Sequence, residues 1–286
     1  MAAPALTPTS SPAQLGRARR TSRAVTAALV VLLFLVPVLY VVMLSFESAG
    51  HFLRSPMTPP VSAPRPGNFG AAWAQAGLGV ELANTALYSV VAAGLATALA
   101  LLIAFPIARR LVRGASLLYS AVAVGLFLPL AIIPLFIEAR MLDLWNNRIG
   151  YIILHIEPGI PLGVVLLTAS IASVPLELDE AAFMDGAGYL RYLWSVVVPL
   201  IRPGLLITFL YGLLGVWNDI IGPVVLLSNP SLFPITRGIY EFYGANQSQW
   251  TLLAAAIVVA SLPLVILFSL TQRQLIRAAV AGSVKG

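Results

Sequence analysis

The 286-residue chain is 59% hydrophobic and 10% charged, against about 25% charged in a soluble domain, which excludes an ordinary water-soluble globule. Its formal net charge is +6, but 16 of the 17 basic residues are Arg placed mostly at the ends of apolar runs, so the charge reads as membrane topology and not as a nucleic-acid surface. No Cys is present, which removes disulfides, Cys-ligated zinc and thiol catalysis, and His51 and His155 are the only histidines.

Residues 1–23 are rich in Ala, Pro, Ser and Thr and close on Arg17, Arg19, Arg20 and Arg23. With few large apolar side chains to bury, they predict a disordered cytoplasmic tail. Ala24 to Phe46 is apolar over 23 residues, longer than the roughly 7 to 15 of a signal-peptide core and long enough to cross a bilayer. The outer segment 47–81 that follows carries Pro59, Pro60, Pro64 and Pro66 and predicts extended, irregular chain.

Further spans are predicted at Leu82 to Ala108, Ala115 to Ile137, Ile149 to Val174, Pro203 to Leu227 and Trp250 to Leu270. The expected fold is therefore all-α and integral to the membrane, with six transmembrane helices in one domain over 24–270. With the N-terminus inside, twelve basic residues fall on the cytoplasmic pieces and five on the outer ones, which predicts that both termini are cytoplasmic. No internal repeat is visible, which argues against a carrier built from inverted repeats.

Between spans four and five the chain reads Glu177-Leu178-Asp179-Glu180-Ala181-Ala182-Phe183-Met184-Asp185-Gly186, four acids in nine positions. Each acid at a bilayer centre costs about 2.5 to 3.5 kcal/mol on insertion scales, so the patch belongs in water on the cytoplasmic side. Pro175 suits a helix's first turn, and Glu177, Asp179 and Glu180 then fall near the positive helix terminus. Gly186 can adopt the left-handed conformation that ends a helix, and Tyr189 to Val198 predicts a second helix stopped by Pro199. The result is a helix-turn-helix over 175–199. Leu178, Ala181, Ala182 and Asp185 are expected to share one face, where the two alanines let another surface approach closely. Taken alone, this loop is either a solvated connector or a docking element.

Glu180-Ala181-Ala182, Asp185-Gly186 and Pro199 resemble the coupling loop of ABC importer permeases. The likeness extends to Leu142 through Asn147 ahead of the fourth span, to Trp217-Asn218-Asp219 in the fifth, and to the ending Ala281-Gly282-Ser283-Val284-Lys285-Gly286. Together these are similar to the carbohydrate branch, in particular the smaller membrane subunit of the maltose-type transporter. The resemblance implies that Glu180, Ala181, Ala182, Asp185 and Gly186 meet a cytoplasmic ATPase. It also implies a second homologous permease, two ATPase subunits, an extracytoplasmic solute-binding protein and a place in the bacterial inner membrane. Gly282, Ser283, Val284, Lys285 and Gly286, in a cytoplasmic tail over 271–286, would reach toward the ATPase pair or form a frayed terminus. Lys285 is the only lysine, so the chain lacks the lysine of a phosphate-binding loop. It is expected to be non-catalytic and to bind no cofactor, with ATP and Mg used by the partner ATPase.

Three further places bear on the solute. Glu157-Pro158-Gly159-Ile160-Pro161 interrupts the fourth span, and Glu157 either faces a polar cavity or pairs with Arg148 or His155. Trp217, Asn218 and Asp219 combine a ring with an amide and a carboxylate, a set that suits a sugar, or they serve packing with Asp219 capping a broken turn. Tyr240, Glu241, Tyr243, Asn246, Gln247 and Gln249 lie in an outer loop that, by the resemblance, contacts the binding protein; otherwise its aromatics anchor to lipid headgroups. A permease for another solute class is the nearest rival. An ion-coupled secondary carrier would use Glu157 and Asp219 as proton or cation sites. A scaffold or an intramembrane enzyme is the weakest reading, since no nucleophile and base stand together.

Overall fold

The structure is a computed structural model and describes residues 12–58, 64–129, 131–243 and 249–283. Every regular element among the described residues is helical. The first helix, α1, runs from Pro12 to Ser45 and so takes in the Arg-rich stretch expected to be disordered; residues 1–11 lie outside the described residues. Arg is a good helix former, and a helix already nucleated by an apolar span extends at little cost.

The outer segment is also more regular than its prolines suggest. A short α2 (Ala49–Arg54) is capped by the Ser48 hydroxyl, which accepts from His51 N, and α3 (Gly67–Gln75) follows the proline cluster. The prolines thus fall between two helices and leave both intact. Asn68 donates to the carbonyls of Ser45 and Glu47 at 2.9 and 2.8 Å, tying α3 to the end of α1.

The 31-residue α4 (Leu78–Ala108) is the centre of the molecule. Ala92, Ala96, Ala100 and Ala104 recur every fourth residue and are buried, giving it a smooth face along its length. Against it pack α8 (Ile160–Ala172) and α12 (Arg202–Trp217). A Cβ on Gly163 of α8 would lie 2.7 Å from Ala100 Cβ, and one on Gly212 of α12 3.3 Å from Ala93 Cβ. Such close backbone approach through small residues is how helices associate where lipid supplies no hydrophobic drive.

Two of the six predicted spans are broken. The predicted span 115–137 consists of α5 (Ala115–Val124) with a following tight turn and a separate α6 (Ile132–Met141). Leu128 is extended at φ −76°, ψ 127°, as expected of a residue clashing with the ring of Pro129. The predicted span 203–227 divides at residues 218–220 into α12 and α13 (Ile221–Leu226). The fourth is continuous as a candidate span, Arg148–Ala172, built from α7 (Arg148–Leu154), a single tight turn at 157–159 and α8. Four helices are long and apolar enough to cross a membrane, or up to six if each of two bent pairs, Ala115–Phe127 with Ile132–Met141 and Tyr189–Leu200 with Arg202–Trp217, counts as one span.

Between α8 and α12 stand α9 (Glu177–Met184), α10 (Tyr189–Tyr192), a π-helical turn over 193–197 and α11 (Val198–Leu200). Pro199 does not stop this segment. It follows closely on the π-helical stretch, the kind of bulge that accompanies a lost ladder bond, and the helical run continues to Leu200 before the chain bends by 83° into α12. The outer loop forms α14 (Ile235–Ile239), and α15 (Trp250–Ser283) completes the fold.

Candidate functional site

The acidic loop begins with Glu177, Asp179 and Glu180 in the first turn of α9, where unpaired N–H groups favour carboxylates. The helix closes with Ala187 N donating to Ala182 O at 2.9 Å and Gly186 N to Phe183 O at 3.0 Å, and Gly186 sits at φ +77°. This paired closure with a left-handed glycine reverses the chain into α10 within a few residues. Glu180, Ala181, Asp185 and Gly186 are exposed, as is Met184 at 88%. Ala182 is not on that surface: it packs inward against the core formed by α4, α8 and residues 192–201. Adjacent residues of a helix point about 100° apart, and here Ala181 lies on the exposed side of α9 while Ala182 is partly buried at the edge of the core.

Behind α9, the side chains of Arg109 and Asp179 are only 4% and 15% exposed and meet at 2.9 Å. Arg109, at the C-terminal cap of α4, is where a cation complements the helix dipole. It also donates to Val174 O at 3.1 Å and to the Tyr192 hydroxyl at 3.3 Å, and that hydroxyl in turn donates to Asp179.

Midway along the bundle, Asp219 takes up the break between α12 and α13. Its Oδ1 accepts from Gly222 N at 3.1 Å; its Oδ2 lies 2.8 Å from His155 Nε2 and accepts from the Tyr151 hydroxyl at 3.2 Å. His155 Nδ1 is 2.7 Å from the Tyr151 carbonyl, an acceptor only. Both ring nitrogens therefore face oxygen atoms, one on the Tyr151 carbonyl and one on the Asp219 carboxyl. A Cβ on Gly222 would run into the Asp219 carboxylate, so glycine is what lets the acid close this turn. The capping role expected of Asp219 is thus present, and the same residue lines a cavity of about 320 Å³ beside His155, Tyr211 and Gly212.

The other residues weighed for the solute path separate. Trp217 is buried against Ala93 and Leu213, so its ring offers no open face. Asn218 is exposed and donates to Leu214 O at 2.9 Å, closing its own helix. Glu157 is exposed and lines an adjoining, more open cavity of about 500 Å³ with Glu138, Pro158 and Tyr211; Pro158 and Tyr211 border both spaces. Among the described residues, His155 is paired with Asp219 and not with Glu157.

At the outer end, Tyr240, Glu241 and Tyr243 are exposed, Tyr243 packs edge-on against Trp250 at 5.7 Å, and Gln249 N donates to Phe242 O. Asn246 and Gln247 lie outside the described residues. The root of this loop is held by Asn84, Thr85 and Tyr88, which with Glu81 form a buried polar stripe on α4. Asn84 Nδ2 donates to the carbonyls of Ser231 and Phe233 at 2.9 and 3.0 Å. Thr85 Oγ1 accepts from Ile235 N at 2.8 Å, and the Tyr88 hydroxyl donates to Leu232 O at 2.9 Å.

The family profile described as binding-protein-dependent transport system inner membrane component matches residues 96–279, a stretch that contains the acidic loop, the Asp219 break and the outer loop. The chain belongs to this family. This permease is 32% identical over 272 residues to the diacetylchitobiose uptake system permease protein NgcG of Streptomyces coelicolor, an alignment covering 93% of this chain and 88% of that one. It is 27% identical to the maltodextrin transport system permease protein MalD of Streptococcus pneumoniae, over 77% of this chain and 79% of the other. In fold it resembles a chain of a bacterial ABC transporter involved in the import of the acidic polysaccharide alginate, with a TM-score of 0.79 at 24% identity, covering 93% and 99% of the two chains.

Several residues of the permease escape a reading by motif. Met184 is three and four residues beyond Ala181 and Glu180, a spacing that puts it on their exposed face. The stripe at 81, 84, 85 and 88 has the helical period, and polar residues at that period inside an apolar run signal a contact. Arg109 reads only as a topology marker, because its partner Asp179 is distant in sequence. At the far end, Gly282 and Ser283 close α15, while Val284, Lys285 and Gly286 lie outside the described residues.

Proposed function

We propose that this permease is one of two membrane subunits of an ABC importer for a sugar or sugar-containing solute, coupled to a separate ATPase through α9 and its Gly186 turn. The observation that carries the reading is the outer surface of α9. It exposes a large apolar side chain, Met184, amid Glu180, Ala181 and Asp185, in a chain whose family works with binding proteins. With Leu176 and Leu178, which are exposed as well, Met184 gives the acid-rich loop an apolar surface that a partner's cleft would cover. Relatives named for diacetylchitobiose and maltodextrin support a saccharide cargo.

In this reading the domain over 24–270 crosses the bilayer six times, α5 with α6 forming one crossing and α12 with α13 another, with both termini cytoplasmic and the coupling loop at 175–199 on the same side. Glu180, Ala181, Met184, Asp185 and Gly186 enter the ATPase cleft, and Ala182 supports them from behind. Gly282 to Gly286 extend toward the ATPase pair. Glu157 and Asp219 border the translocation path, Trp217 and Asn218 shape the broken helix beside it, and Tyr240 to Gln249 meet the binding protein. The chain itself is non-catalytic and binds no cofactor; ATP and Mg are used by the partner. The test is reconstitution with the neighbouring permease, ATPase and binding protein in proteoliposomes. ATP hydrolysis stimulated by loaded binding protein, together with ATP-dependent saccharide uptake, is expected. Uptake driven by an ion gradient without the ATPase would refute the reading and favour a secondary carrier.

A further inference from the structure

Resting on that reading of α9 as the coupling helix, we propose that Arg109 is the positioning residue that transmits its movement to α4. The route is set by what holds α9 to the rest of the chain. Its exposed side is free, and none of its residues is fully buried. On its inner side Ala182 rests on the core, and Phe183 packs on the rings of Tyr189 and Tyr192 at 5.3 and 5.9 Å. The one ion pair to α4 is Asp179 with Arg109, among the described residues.

One guanidinium there gathers four segments. From the end of α4 it reaches Val174 after α8, Asp179 on α9 and Tyr192 on α10. Tyr192 is itself 1% exposed and stacks on Phe105 of α4 at 6.1 Å. A planar fork of donors can hold three acceptors at fixed angles, which a lysine ammonium on a flexible stem does not reproduce. Because both charges are mostly shielded from water, the pair resists separation, and α9 cannot rotate without carrying the end of α4 along. Arg109 Nε is buried with no partner, so this conformation does not exhaust the fork's donors.

The test uses the whole complex, co-purified with its ATPase subunits and partner permease, and reads hydrogen exchange at 101–109 and at 177–188 with and without ATP trapped by vanadate. In the wild type both segments change protection together. The double variant Arg109→Met/Asp179→Leu removes both charges, so no unpaired charge is left buried. It should keep the response at 177–188 and lose that at 101–109, and Arg109→Lys should restore part of it. A response at 101–109 that survives the double variant overturns the proposal. So does failure of both variants to co-purify, which would make Arg109 a residue of assembly. Absence of any response at 177–188 in the wild type would instead sink the coupling reading itself.

Discussion

Gly186 offers a test in which backbone strain is separated from contact. Its φ of +77° lies in the left-handed region, and a Cβ built there meets nothing within 4 Å. A side chain therefore costs only conformational energy in the isolated permease, about 1 to 2 kcal/mol for an ordinary L-residue, less for Asn and more for a β-branched residue. Since about 1.4 kcal/mol is a factor of ten, Gly186→Ala should lower the equilibrium constant for closing the turn about five- to thirtyfold, Gly186→Asn by less, and Gly186→Val by the most. The assay is ATP hydrolysis stimulated by loaded binding protein in the reconstituted complex, read beside the amount of ATPase that co-purifies. Activity should fall in the order Asn, Ala, Val. Equal loss with Asn and Val would refute the reasoning, because side-chain volume against a partner, and not strain in the turn, would then decide.

Gly222→Ala places a methyl against the Asp219 carboxylate and 3.3 Å from His155 Nε2, and should destabilise the break by about 1 to 3 kcal/mol, seen as a lower unfolding midpoint in detergent. Thr85→Val keeps the shape of α4 but leaves Ile235 N, now bonded at 2.8 Å, without its acceptor. A buried orphan donor costs about 1 to 3 kcal/mol, so hydrogen exchange at Ile235 should accelerate while 177–188 stays as in the wild type. Met184→Ser should weaken co-purification with the ATPase without moving the unfolding midpoint of the isolated permease, because the side chain is 88% exposed and supports nothing within the chain.

What the sequence makes legible is local. Long apolar runs announce α4 and α15 because length and hydropathy alone decide whether a helix can cross lipid. The Gly186 reversal is legible because a left-handed residue leaves few choices of side chain. Leu128 ahead of Pro129 marks the break after α5 in the same local way, although a run-length reading passes over it. Direction and partnership are not legible. Nothing adjacent to Trp217 says that its ring turns to Leu213 and away from the cavity, nor that Ala182 rests on the core while Ala181 is left exposed. Asp179 and Arg109 are apart in sequence, and only the packing of α4 beside α8 brings them to 2.9 Å.

That packing gives α4 a role beyond filling the centre. At about 1.5 Å per residue its 31 residues run about 46 Å, enough to reach from one membrane face to the other. At one end its polar stripe holds the root of the loop before α15 through Asn84, Thr85 and Tyr88; at the other, Arg109 holds the acidic loop of α9. The outer loop is in turn pinned to the cavity, since Thr236 Oγ1 donates to Asp219 O at 2.6 Å. The small-residue contacts of Ala93 and Ala100 with Gly212 and Gly163 hold the middle of the helix close against α12 and α8. In an importer, a displacement of α9 would therefore reach α4 at its Arg109 end, and what passes on to the outer loop and the Asp219 break depends on how far Pro106, three residues from Arg109, lets that last turn flex on its own. Lesions at Arg109 should accordingly uncouple that motion at the α9 end of α4, and lesions at Thr85 at the outer-loop end.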